Sequence, residues 1–208
     1  MSMIDVSSTV QAIATPFGEY RFHWTGDHWK QEIDCVGDCS SIPKIWSVEG
    51  QQVIGGRRLL AGPSFQHVHL SEAGPKIVVA RLDGREGVHT YNATFRCEER
   101  AEEFVVVVEV KVQGAAADEL TPVTYLVESS DGVLKVEAQA ATLTWPNPET
   151  TLVFEVEAPA VLDAKEDGLG TIQLRASTPP GPVGEVRTIR YRWRLRTKPG
   201  KQIWDRQA

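Results

Sequence analysis

The sequence has little cysteine, no long apolar run and no excess of positive charge. Cys35, Cys39 and Cys97 are an odd set of three, not the disulfide framework that staples small secreted domains. The longest apolar stretch, Phe104 to Val108, has strand length, far below the roughly 20 residues that span a bilayer as a helix. The N-terminal MSMIDVSSTV carries neither a basic n-region nor an apolar h-region, so no secretory leader is expected there and the cytoplasm is the default compartment. The formal net charge is −6. An acidic chain is repelled by phosphate backbones and anionic headgroups, so neither nucleic acid nor membrane is the expected partner. Local catalytic signatures are missing as well: there is no Walker A loop, no GxSxG elbow and no HExxH. Nothing in the sequence names a catalytic residue.

What is present is alternation. In Glu185 to Arg196, Ile189, Tyr191, Trp193 and Leu195 share one phase, and Arg190, Arg192, Arg194 and Arg196 share the other. Strand side chains alternate between faces, so such a segment buries one face and exposes the other. Tyr20, Phe22 and Trp24, then Thr25-Gly26-Asp27, then Trp29, Ile33 and Cys35 read as a hairpin with suitable turn chemistry. Short strands also follow over Phe65 to Leu70, Lys76 to Leu82, Val88 to Cys97, Phe104 to Val112, Pro122 to Glu128, Val133 to Trp145, Thr150 to Ala158 and Gly170 to Ser177. Asp83 to Gly87 reads as a turn, Glu98 to Glu103 as an acidic link able to form a helical turn, and Ala158 to Lys165 as a short helix. The expected class is all-β and mainly antiparallel, as two immunoglobulin-like sandwich modules or one large sandwich. The small-residue stretch around Gly114 sets the expected division, 1–113 and 119–208.

Four constellations could carry chemistry. His67 and His69 stand at i and i+2, on one face of a strand, with Glu72 close behind and His89 on a later strand. Neutral imidazoles so placed can reach one divalent ion, the one cofactor this sequence offers. Gly62, His67, His69 and Glu72, followed by Gly87, His89 and Asn92, resemble the two cupin motifs. Each spacing falls short, however, and the proline of the second motif is missing. A one-residue slip in a strand turns a ligand to the other face. The resemblance implies a small metal-dependent β enzyme. Cys35 and Cys39, completed in space by Cys97 and a histidine, could grip zinc or could be ordinary reduced thiols.

The arginine ladder is the third. Four guanidinium groups on one strand face repel each other unless anions interleave, and Glu155 and Glu157 lie on a polar strand phase that could supply them. Otherwise the ladder binds an anionic partner. The fourth is aromatic: Trp24, Trp29 and Trp193 lie on apolar phases and are expected in the core, whereas Trp46 and Trp204 lie in less regular segments and are freer to contact a ligand. The leading expectation is a non-catalytic binding or assembly module, with another protein or a second copy as partner. The alternatives are the metal-dependent enzyme and a carbohydrate- or ligand-binding sandwich.

Overall fold

The computed structural model describes residues 4–7, 9–35, 44–54, 57–116, 119–128, 132–146, 149–166 and 170–197. Eighteen strands run through them in chain order. The first seven are β1 (Ile4–Val6), β2 (Val10–Ala14), β3 (Gly18–Trp24), β4 (Trp29–Cys35), β5 (Lys44–Val48), β6 (Gly50–Ile54) and β7 (Arg57–Gly62). Then come β8 (His67–Gly74), β9 (Ile77–Glu86), β10 (His89–Glu99), β11 (Phe104–Gln113), β12 (Thr121–Glu128) and β13 (Val133–Glu137). The last are β14 (Ala140–Pro146), β15 (Glu149–Val156), β16 (Val161–Glu166), β17 (Thr171–Thr178) and β18 (Arg187–Thr197). No residue among those described is helical, so no helix there is long and apolar enough to cross a membrane.

Two eight-stranded antiparallel sheets face each other. The first has the order β1-β2-β3-β4-β5-β12-β17-β16, the second β13-β14-β15-β18-β11-β10-β9-β8, and β6 and β7 form a separate hairpin. The all-β, mainly antiparallel expectation holds, in its one-large-sandwich form. The stretches 1–113 and 119–208 each supply strands to both sheets. The small-residue stretch near Gly114 is the crossing from β11 in the second sheet to β12 in the first. Gly114 has φ +93, and a Cβ there would lie 2.1 Å from the Val88 carbonyl oxygen, so a left-handed residue without a side chain suits that passage. Arg187, 5% exposed, pins the crossing by donating to the carbonyl oxygens of Glu119, Ala116 and Gly181.

Inward phases of both sheets meet in one continuous core. Its aromatic centre contains Tyr20, Phe22, Phe95, Tyr125, Phe154, Tyr191 and Trp193, with Phe154 and Trp193 rings 4.4 Å apart and Tyr125 edge-on to Trp193 at 5.0 Å. Buried hydroxyls need partners. Here they find one another across the two sheets: Tyr191 and Tyr125 Oη are 2.7 Å apart, and Tyr125 and Tyr20 both donate to Gln31 Oε1, at 2.6 and 2.8 Å.

Several local expectations are corrected. Asp83 to Glu86 is strand rather than turn, because Gly84 lies flat against residues 64–66, and the turn is Gly87-Val88. Val133 to Trp145 is a hairpin of β13 and β14, not one strand. Ala158 to Lys165 is a turn followed by β16, whose Leu162 and Ala164 pack on the core while its backbone pairs with β17. In the acidic link, β10 continues to Glu99, and Arg100 N–H donates to the Glu103 carbonyl at 2.9 Å, closing a hairpin into β11.

Candidate functional site

The outer face of the second sheet gathers most of the residues singled out from sequence. Strand register sets His67, Asp83, Asn92, Lys111 and Thr188 in one row across β8, β9, β10, β11 and β18. The next row reads His69, Arg81, Thr94, Glu109 and Arg190. Further along, Arg96, Val107, Arg192 and Glu155 stand side by side.

His67 and His69 do share an exposed face, as their spacing requires. His67 Nδ1 lies 2.8 Å from Asp83 Oδ2, which fixes the ring over the first row. Glu72 is in register with the inward-facing Val78 and so stands on the opposite face of β8. His89 also faces inward: it is buried, stacks on Tyr91 at 6.1 Å, and sits with Nε2 3.0 Å from Glu119 Oε2. The sheet itself thus separates His89 from the other two imidazoles. Among the described residues, no three His, Cys, Asp or Glu side chains form a group that could hold a metal ion. Cys97 is buried on the inward phase of β10, and burial pushes its thiol well above the ordinary range, which disfavours the thiolate a zinc ligand needs. The Cys35 side chain, Cys39 and Trp204 lie outside the described residues.

The arginine ladder is interleaved with carboxylates from three directions. Arg190 Nε donates to Glu109 at 2.8 Å, Arg192 Nε to Glu155 at 2.8 Å, and Arg196 Nε to Glu103 at 2.9 Å, while Arg194 shares Glu155 through Nη2. Glu155 takes the role its strand phase suggested. Glu157 meets the ladder through its backbone, donating its N–H to the Arg190 carbonyl at 2.9 Å. Glu103 and Glu109 were missed. Glu109 breaks a run of valines on the outward phase of β11, a visible signal, but only the β11–β18 pairing aims it at Arg190. Hydrogen bonds from Lys111 and Arg190 hold the Glu109 carboxyl below its ordinary range, and those from Arg100 and Arg96 do the same for Glu98. Exposed pairs of this kind contribute only about 0.2–1 kcal/mol each.

Pairing does not neutralise the face. Outward from β9, β10, β11 and β18 point Arg81, Arg85, Arg96, Lys111 and the four ladder arginines, against Asp83, Glu98 and Glu109 and the two further carboxylates that reach the ladder, Glu155 and Glu103. Toward the β8 edge of the same sheet, a groove of about 360 Å³ is lined by Gln66, His67, Asp83, Gly84, Arg85, Thr90 and Asn92. Every lining side chain offers hydrogen bonds, and none is Trp, Tyr or Phe. Of the aromatic candidates, Trp29 and Trp193 are core and Trp24 packs against it. Trp46 lies on the other sheet's outer face, half-buried, with Lys30 Nζ 5.6 Å from its ring centroid, so a cation already occupies that indole.

No protein-family model matches the chain, and no curated protein does. Among solved structures, the chain is similar to the heparinase III BT4657 gene product, at 10% identity over 97% of this chain with a TM-score of 0.61. The chain spans about 37% of the length of that protein. It is also similar to a candidate aldose 1-epimerase from Escherichia coli, at 10% identity over 91% of this chain and 99% of that one, with a TM-score of 0.48. The Slr1438 protein from Synechocystis sp. PCC 6803 is similar at 10% identity over 93% of this chain and 99% of its own, with a TM-score of 0.49. The likeness to the heparinase III protein is one of fold, a large antiparallel β-sandwich.

Proposed function

We propose that this chain is a non-catalytic binding module that engages an acidic protein partner through the outer face of its second sheet. The observation that carries the reading is charge inversion. The whole chain has a net charge of −6, yet the face around the ladder presents eight basic side chains, Arg81, Arg85, Arg96, Lys111, Arg190, Arg192, Arg194 and Arg196, against five acidic ones, Asp83, Glu98 and Glu109 with the ladder's partners Glu155 and Glu103. A local field of one sign steers and orients an oppositely charged partner even where the overall charge repels it. Retention on immobilised polyglutamate tests this. The wild type is expected to bind at low salt and elute as salt rises, because exposed charge contacts are screened. Arg192→Glu combined with Arg81→Glu is expected to abolish retention. Passage of the wild type without retention at low salt, or undiminished retention of the double variant, removes the proposal.

A second reading has its own observation. The groove near the β8 edge combines an imidazole–carboxylate pair with Asn, Gln, Thr and Arg side chains, a set suited to a hydroxyl-rich ligand such as a carbohydrate. A screen of neutral glycans with Asn92→Ala as control tests it; no glycan bound, or binding equal in the variant, ends it.

A further inference from the structure

We infer that the partner of the arginine ladder is an extended peptide carrying acidic residues at every second position, laid along β18 on the outer face; this rests on the acidic-partner reading above. The ladder sets the repeat. Residues two apart in a strand recur every ~6.6–6.8 Å, so Arg190 to Arg196 span about 20 Å on one face. An extended peptide with acids at i, i+2 and i+4 has the same repeat on one of its own faces, whereas adjacent acids would point in opposite directions.

The guanidinium groups are set for such a guest. Glu109 and Glu103 hold Arg190 and Arg196 by the Nε atom, and Glu155 holds Arg192 along its Nε–Nη2 edge. The remaining Nη atoms make no hydrogen bond among the described residues, and these side chains are 56%, 45% and 57% exposed for Arg190, Arg192 and Arg196. At Arg190, Arg192 and Arg196 the carboxylates therefore hold the fork and leave its tip for a second carboxylate, which reduces the side-chain entropy lost on binding, whereas Arg194 gives its Nη2 to Glu155. Val107, in register with Arg192 and 37% exposed, gives the methylene stem of a glutamate an apolar surface beside that rung.

Fluorescence anisotropy with two peptides of about ten residues tests the spacing. One alternates Glu and Thr, and the other holds the same residues in Glu-Glu-Thr-Thr blocks. The alternating peptide is expected to bind about tenfold tighter. Arg190→Gln combined with Arg192→Gln is expected to weaken it by about tenfold as well, with thermal melts confirming that the variant is folded. Lys165→Gln, on β16 of the other sheet, is expected to leave binding unchanged. Equal binding of the two peptides, or binding indifferent to the arginine changes, overturns the inference. If neither peptide binds but a sulfated oligosaccharide does, in an Arg192-dependent way, the inference fails while the basic face remains an anion-binding surface. If no anion binds, both fail.

Discussion

Glu49 illustrates how much a single side chain owes to its surroundings. It follows β5 directly, and its side chain is only 4% exposed. Burial raises its carboxyl above the ordinary 4.5, against the opposing hydrogen bond from the Ser47 hydroxyl and the nearby His28 imidazole, 3.9 Å away. A carboxyl raised on folding holds its proton more tightly in the native state. Its contribution is therefore fully present below the unfolded value and is lost as pH rises through the raised one. Glu49→Gln keeps an acceptor for Ser47 and removes the buried charge. The variant is expected to match the wild type below pH 4.5 and to melt a few degrees higher at neutral pH. A melting difference independent of pH across that range would contradict the assignment. Nothing in the sequence marks Glu49 for burial, since it sits between Val48 and Gly50 at a strand end. Trp29 and Trp193 were legible because they fall on the apolar phase of strongly alternating segments.

At the scale of the element, alternation located most strands to within a few residues and failed where a local cue conflicted with packing. Asp83-Gly84-Arg85 carries turn chemistry, yet it continues β9. A Cβ at Gly84 would stand 2.1 Å from the Ser64 carbonyl oxygen and 2.8 Å from the Phe65 Cα. The glycine is there for close approach of two backbones, not for a bend. That approach also seats Gln66, whose Oε1 accepts from Arg85 N–H at 2.6 Å, at the rim of the groove. Gly84→Ala is expected to cost about 1–3 kcal/mol, several degrees in Tm. Amide exchange should then rise first in β8 and β9, and an unchanged melt would show that the packing is looser than described. The β13–β14 hairpin was missed for the complementary reason. Its turn, Ala138-Gln139, has no glycine, proline or asparagine to announce it.

Across the whole molecule, the division near Gly114 has a concrete consequence. Each half supplies part of both sheets, and the core is continuous between them. β11 separated from β18 would lose the partner of Val106, Val108 and Val110. The fragments 1–113 and 119–208 are therefore expected to remain unfolded apart, and the intact chain to unfold in one cooperative transition. Circular dichroism and calorimetry check this; a folded fragment, or two separate transitions, would restore the picture of independent modules.

The sequence by itself determined the class of the fold and the phase of its strands. Period-two alternation is a local property, and it fixes which side chains turn inward wherever one face is buried. It therefore placed Tyr191 and Trp193 inside and the ladder arginines outside, and put His67 and His69 on a common face. Only the tertiary structure decided which strands lie next to one another. That choice paired Arg190 with Glu109, Arg192 with Glu155 and Arg196 with Glu103, and assembled the basic face from strands on both sides of Gly114. Lateral pairing joins backbones far apart in the chain through hydrogen bonds that every residue can make, so no local pattern of side chains encodes it.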